Sequence, residues 1–147
     1  MIKDGVPVEL RDSHGYTALI LAAYDEQPAA VDLLLEKHAD HCAADLKGNT
    51  ALMGVAFKGE LAIAERLVGR CDVNTGNHEG QTAVMMAALF GHADIIRLLA
   101  KHGADLRAKD ASGNTADGLA RQQGNAEMLA LLTELQASAP ADKSRQP

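Results

Sequence analysis

The chain has 147 residues, 47% of them apolar but only 3% aromatic: Tyr16, Tyr24, Phe57 and Phe90, with no Trp. Twenty acidic residues against fourteen basic ones leave a net charge of −6, which lacks the basic footprint a phosphate backbone requires and argues against nucleic acid as a ligand. No apolar run approaches the roughly 18 residues that span a membrane, and the opening MIKDGVPVEL lacks the apolar segment of a secretory signal.

A core drawn from Ala, Leu, Val, Ile and Met favours closely packed helices over a sheet rich in aromatics. Cys42 and Cys71 do not amount to a disulfide scaffold, so a reducing, cytoplasmic setting is expected. In chain order, residues 5–12, GVPVELRD, match the closing half of a unit that recurs later as GADLRAKD (103–110). The chain thus begins inside a repeat (1–11). The expectation is that upstream residues form an N-terminal cap, and that the protein is a monomer unless the uncovered first face self-associates.

Gly15, Gly48, Gly80 and Gly113 then recur at spacings of 33, 32 and 33 residues. Thr17, Thr50, Thr82 and Thr115 stand two residues after them, and Asp12, Asp45, Asn77 and Asp110 three residues before. DSHGYTAL, DLKGNTAL, NHEGQTAV and DASGNTAD are one pattern written four times, and such a period marks a repeat array. The acid or amide followed by Gly suits a tight turn, and the Thr is placed to cap a helix.

That first helix is short and small-sided: TALILAAY, TALMGVAF, TAVMMAAL and TADGLARQ. Gly59, Gly91 and Gly124 mark its stop, with Glu26 in the same place in the first unit. A second apolar stretch follows as AAVDLLLEK, LAIAERLVG, ADIIRLLAK and AEMLALLTEL. Leu33, Leu34, Leu98 and Leu99 fall one turn after Ala30, Val31, Ile95 and Ile96, which predicts a buried face. Neither helix buries its apolar side alone, so neighbours must stack. The predicted units are 12–44, 45–76, 77–109 and a capping 110–136, with a disordered tail at 137–147. The second unit is one residue short near Gly69–Cys71, where local irregularity is expected.

Turn, cap, spacing and the closing Gly-Ala-Asp resemble the ankyrin repeat family over roughly residues 5–136. The resemblance implies an all-α solenoid of stacked helix-turn-helix units with β-hairpin-like loops. It departs where the family writes Thr-Pro-Leu-His: Pro is Ala each time, and His is Ile20, Met53, Met85 or Gly118. A hydrogen bond between turn and helix should therefore be missing.

The resemblance also implies that two variable rows face a bound protein. The turn row is Ser13, His14, Tyr16; Leu46, Lys47, Asn49; His78, Glu79, Gln81; and Ala111, Ser112, Asn114. The row ending each first helix is Tyr24, Asp25; Phe57, Lys58; Leu89, Phe90; and Gln122, Gln123. All four aromatics lie in these rows, and Tyr24, Phe57 and Phe90 form a ladder across successive units. Packing between first helices is the competing account of that ladder.

No nucleophile with a base and an orienting partner is present, nor a phosphate-cradling loop, so an enzyme is not expected. The densest metal-type group is His38, His41 and Cys42, but no second ligand pair completes it. By alignment His38 takes a turn-glycine position and Cys71 a small buried one, while His92 opens a second helix as a structural residue. The expected function is a non-enzymatic module, needing no cofactor, that holds another protein through its concave face, with the acidic charge favouring a partner with a basic surface. Such a module acts as an adaptor or as an inhibitor of an enzyme or toxin. The alternative is a metal- or redox-responsive protein using His38, His41 and Cys42.

Overall fold

The computed structural model describes residues 10–138. Eight helices follow in order: α1 (Ala18–Tyr24), α2 (Pro28–Glu36), α3 (Ala51–Lys58), α4 (Leu61–Leu67), α5 (Ala83–Leu89), α6 (Ala93–Lys101), α7 (Ala116–Gln122) and α8 (Ala126–Ser138). Among the described residues there is no strand, only a single bridge between Ala44 and Thr50. The expected partial repeat at 1–11 lies almost entirely outside the described residues. α8 runs to Ser138, two residues into the segment predicted as a tail, because the apolar series Met128, Leu131, Leu132 and Leu135 carries the helix past its neighbours' length.

Each first helix starts as its Thr dictates. The hydroxyls of Thr17, Thr50, Thr82 and Thr115 accept from the amides of Ile20, Met53, Met85 and Gly118. Where the family's His is lost, Met53 sulfur lies 3.5 Å from the Thr50 amide and closes a weaker version of that link. The stops behave alike: Gly59, Gly91 and Gly124 have positive φ, and Glu26 is held at φ 60 in the position they share. His38 likewise adopts φ 65 where Gly103 has φ 86. α4 ends two residues earlier than α2 and α6 relative to their nine, at the shortened unit.

The helices form two layers. α1, α3, α5 and α7 pack in sequence, each also packs on its own second helix, and α2, α4, α6 and α8 line up behind. Small side chains let the inner layer close: Ala23, Ala56, Ala87, Ala88 and Ala120 are fully buried. Ile63, Ile95, Ile96, Leu99 and Leu132 fill the space between layers. The expected buried face needs one correction. Leu34 and Leu99 are in the core, but Leu33 is exposed and Leu98 half-buried, since the helical period carries one residue of each adjacent pair to the edge.

The turns build a second connection. In each, one side-chain oxygen of Asp12, Asp45, Asn77 or Asp110 accepts two backbone amides, two and four residues on. Neighbouring turns then bond directly: the Leu46 amide donates to His14 carbonyl at 3.1 Å, His78 to Lys47 at 3.0 Å and Ala111 to Glu79 at 2.8 Å. This approach explains Gly48. It has φ 85, and a Cβ there would lie 2.9 Å from the His78 amide nitrogen.

Gly103 has nearly the same φ but open space around the same position. Gly103→Ala should therefore cost only the left-handed strain of about 1 kcal/mol, whereas Gly48→Ala should cost clearly more by forcing two turns apart. Urea unfolding of the two variants checks this, and equal losses would refute it.

Candidate functional site

The two expected rows occupy the turns and the ends of the inner helices, and the structure treats their members differently. Tyr24 closes α1 and Phe57 lies in the last turn of α3, both seven residues after their capping Thr. In the third unit the ring stands one place later. Leu89, half-buried, takes the seventh position, and Phe90 follows as the residue capping α5. Consequently Tyr24 and Phe57 stack nearly parallel, with centroids 6.2 Å apart and an interplanar angle of 17°. Phe57 and Phe90 meet edge to face at 4.6 Å and 75°. The three rings remain 43%, 38% and 47% exposed, so they pack on each other and face solvent at once.

Gly54 lies beneath the Tyr24 ring, where a Cβ would meet it at 3.4 Å, an ordinary contact distance. The Lys58 ammonium lies 4.7 Å from the Tyr24 centroid and 3.5 Å from the Glu26 carboxylate. From behind, a ring nitrogen of His92 lies 3.0 Å from the Phe57 carbonyl, bonding the third unit to the end of α3. Asp25, Gln122 and Gln123 are exposed on the same edge. Leu21, exposed on α1 beside the ladder, and Glu26 were not anticipated. Leu21 heads a position filled by Gly54 and Met86 in the next units, so its exposure follows from small or flexible neighbours.

In the turn row, Ser13, His14, Leu46, Lys47, Glu79 and Ser112 are exposed, and Tyr16 is half-buried against the core while stacking on His14 at 5.2 Å. Asn49, Gln81 and Asn114 turn inward. The Asn77 side-chain amide donates to Asn49 at 2.8 Å and to Gln81 at 2.9 Å, and Asn114 donates to Asp110 at 3.1 Å. These three hold the turns together and present little polar capacity outward.

The cysteines require a correction. Cys42 and Cys71 form a disulfide, with Cα atoms 5.7 Å apart. Their separation of 29 residues falls short of the repeat period, so no aligned column pairs them; the available signal was that both sit in the turn after a second helix, in adjacent units. The His38, His41 and Cys42 group also regroups. His38 stays exposed on its left-handed turn, while a ring nitrogen of His41 and the two sulfurs lie within 4.8 Å of one another.

A family model described as ankyrin repeats (3 copies) matches residues 1–77 and again 52–144. The chain belongs to the ankyrin repeat family. Human ankyrin repeat domain-containing protein 63 is 34% identical over 123 residues, which is 80% of this chain and 32% of that protein. The NF-kappa-B inhibitor cactus of Drosophila yakuba is 31% identical over 134 residues, 86% of this chain and 26% of its own. The chain therefore spans about a quarter to a third of the length of these curated relatives. Ankyrin repeats are protein-interaction modules, and among the described residues no helix is long and apolar enough to cross a membrane.

The ankyrin turns carry one clear electrostatic effect. Asp110 is held below the ordinary carboxylate range, first by the Asn114 backbone amide; burial opposes this as the next-largest effect, and the Asn114 side chain and the Ser112 and Gly113 amides add to the lowering. A carboxyl lowered by folding binds its proton more readily in the unfolded chain. Its stabilisation is complete at neutral pH and disappears as pH falls through the lowered value. Asp110→Asn keeps the accepting oxygen, as Asn77 does, without the charge. Urea unfolding followed from about pH 5 down to about pH 2 should show a shallower acid loss in the variant than in the wild type. Parallel curves would contradict this.

Proposed function

We propose that this chain is a non-enzymatic binding module that grips another protein through the Tyr24, Phe57 and Phe90 ladder and the exposed turn residues in front of it. The observation that carries the reading is the ladder itself. In a chain with only four such aromatics, three stand in contact with one another on the surface, whereas the core is filled by aliphatic and small side chains. Contiguous exposed aromatics are the usual seat of binding energy at an interface. The inner helices and turns form the concave face of a family solenoid, so ladder and turns address one partner together.

Charge refines the reading. Lys58 is engaged by Glu26 and Tyr24, Lys47 stands alone among the exposed turn residues, and Asp25 and Glu79 add negative charge on either side. With the net charge of −6, this suits a partner with a basic surface and sets association rate and specificity more than affinity. The relative named as an NF-kappa-B inhibitor supports an inhibitory mode, in which the module covers a partner's working surface; an adaptor role uses the same face. The cytoplasmic expectation rested on cysteines that do not pair, and the Cys42–Cys71 disulfide removes that ground.

Phe57→Ala and Phe90→Ala should each weaken partner binding by about 2 kcal/mol or more while far-UV circular dichroism stays unchanged. Leu99→Ala, in a fully buried position, should instead lose about 2–5 kcal/mol of stability. A photo-crosslinking residue at position 57 should capture the same protein as one at position 90, and one at the exposed outer-helix position 94 should not. Loss of folding in the Phe variants without a selective binding defect, or capture only from position 94, would refute the ladder as the interface.

A further inference from the structure

His41 breaks the repeat pattern in a specific way. Its counterparts are Val73, packed against the core, and Leu106, which is buried. An imidazole thus stands where the other units close the base of the turn with an aliphatic side chain. Among the buried side-chain nitrogens and oxygens of the described residues, His41 Nδ1 is the one with no hydrogen-bond partner. Such a nitrogen is costly unless something binds it. What lies near it is sulfur: a ring nitrogen of His41, Cys42 Sγ and Cys71 Sγ fall within 4.8 Å of one another. The three residues line one cavity of about 20 Å³, with Thr50, Leu52, Leu67, Asp72 and Thr75 around it.

We propose that the reduced chain carries a zinc-binding site made of the Cys42 and Cys71 thiolates and the His41 imidazole. Two thiolates and an imidazole are a zinc donor set, and the ion imposes no geometric preference of its own beyond four ligands. The bond lengths required, about 2.3 Å to sulfur and about 2.0–2.1 Å to nitrogen, lie within reach of donors already this close on fixed backbone. The backbone is fixed from both sides. The Asp40 carboxylate accepts the Cys42 amide, the Asp72 carboxylate accepts the Asn74 amide, and the Arg70 side chain is turned onto the Arg66 carbonyl. One oxygen of each carboxylate is taken by an amide, and a water molecule supplies the fourth ligand. Two thiolates neutralise the ion, which would join the first and second units across their turns.

Disulfide and zinc exclude each other, since a disulfide sulfur is not a thiolate ligand. Oxidation of the loaded site by a low-molecular-weight disulfide would form the Cys42–Cys71 bond, release the ion and yield two low-molecular-weight thiolates, so electrons balance.

The test uses the full chain reduced with a phosphine, water supplying the oxygen of the phosphine oxide and the two protons of the thiols. Zinc chloride titrated against a chromophoric chelator should load one equivalent, and thermal unfolding should move upward on loading. Cobalt(II) in its place should give thiolate charge-transfer absorption with a tetrahedral visible spectrum. The disulfide form should show none of these. His41→Leu restores the residue type found at Leu106 and so retains the fold, and its zinc affinity should fall about tenfold or more. Reduced wild type binding no more zinc than a Cys42→Ser/Cys71→Ser double variant would overturn the site. Undiminished affinity in a folded His41→Leu chain would overturn the role of the imidazole.

Discussion

Everything distinctive in this molecule depends on one constraint: a translation by one repeat must bring equivalent atoms within bonding distance. No unit buries its helices alone, so the spacing between units is set by what can touch across it. Inner helices approach through Ala23, Ala56 and Ala88, and turns approach closely enough for a backbone amide of one to donate to a carbonyl of the previous one. Once that spacing exists, residues about one period apart become neighbours whatever their chemistry. The aromatic ladder, the His92 bond to the Phe57 carbonyl and the Cys42–Cys71 bridge are three products of the same translation.

The cohesion is correspondingly one-dimensional. A unit draws support from the units before and after it, and the array is as sound as its weakest junction. The shortened second unit is the natural place to look for that junction. α4 has seven residues, and Val68 leaves the helix in extended conformation instead of continuing it. The disulfide and the Arg66–Asp32 ion pair at 2.6 Å both bind this unit to the first. The ion pair is solvent-exposed and contributes little by itself. The covalent link restricts how far the two can separate in the unfolded chain.

Much of the fold was legible because turn chemistry is local. Thr17, Thr50, Thr82 and Thr115 announce their caps, and Glu26 and His38 take the left-handed backbone that their alignment with glycines demanded. The clustering of Tyr24, Phe57 and Phe90 was equally readable from the period. What escaped depended on direction within a turn or on registers other than the period. Asn49 and Gln81 turn inward because the third unit carries Asn77 in place of Asp, and its side-chain amide supplies donors that a carboxylate lacks. Cys42 and Cys71 are 29 residues apart, short of a full period, so aligned columns never placed them together. Leu33 and Leu98 show that an apolar pair on a helix does not commit both members to the core.

The place of the third ring reaches further than the helix it caps. Leu89 stands in the column of Tyr24 and Phe57, and the third ring falls at the next position, where Phe90 lies at 75° to its neighbour. The aromatic surface is therefore not a flat strip but two facets meeting at a corner. A rod-like partner lying along Tyr24 and Phe57 runs into the third ring's wall, while a partner that bends there is seated on both facets. For the proposed interface, one place along a helix end becomes a shape requirement on the partner.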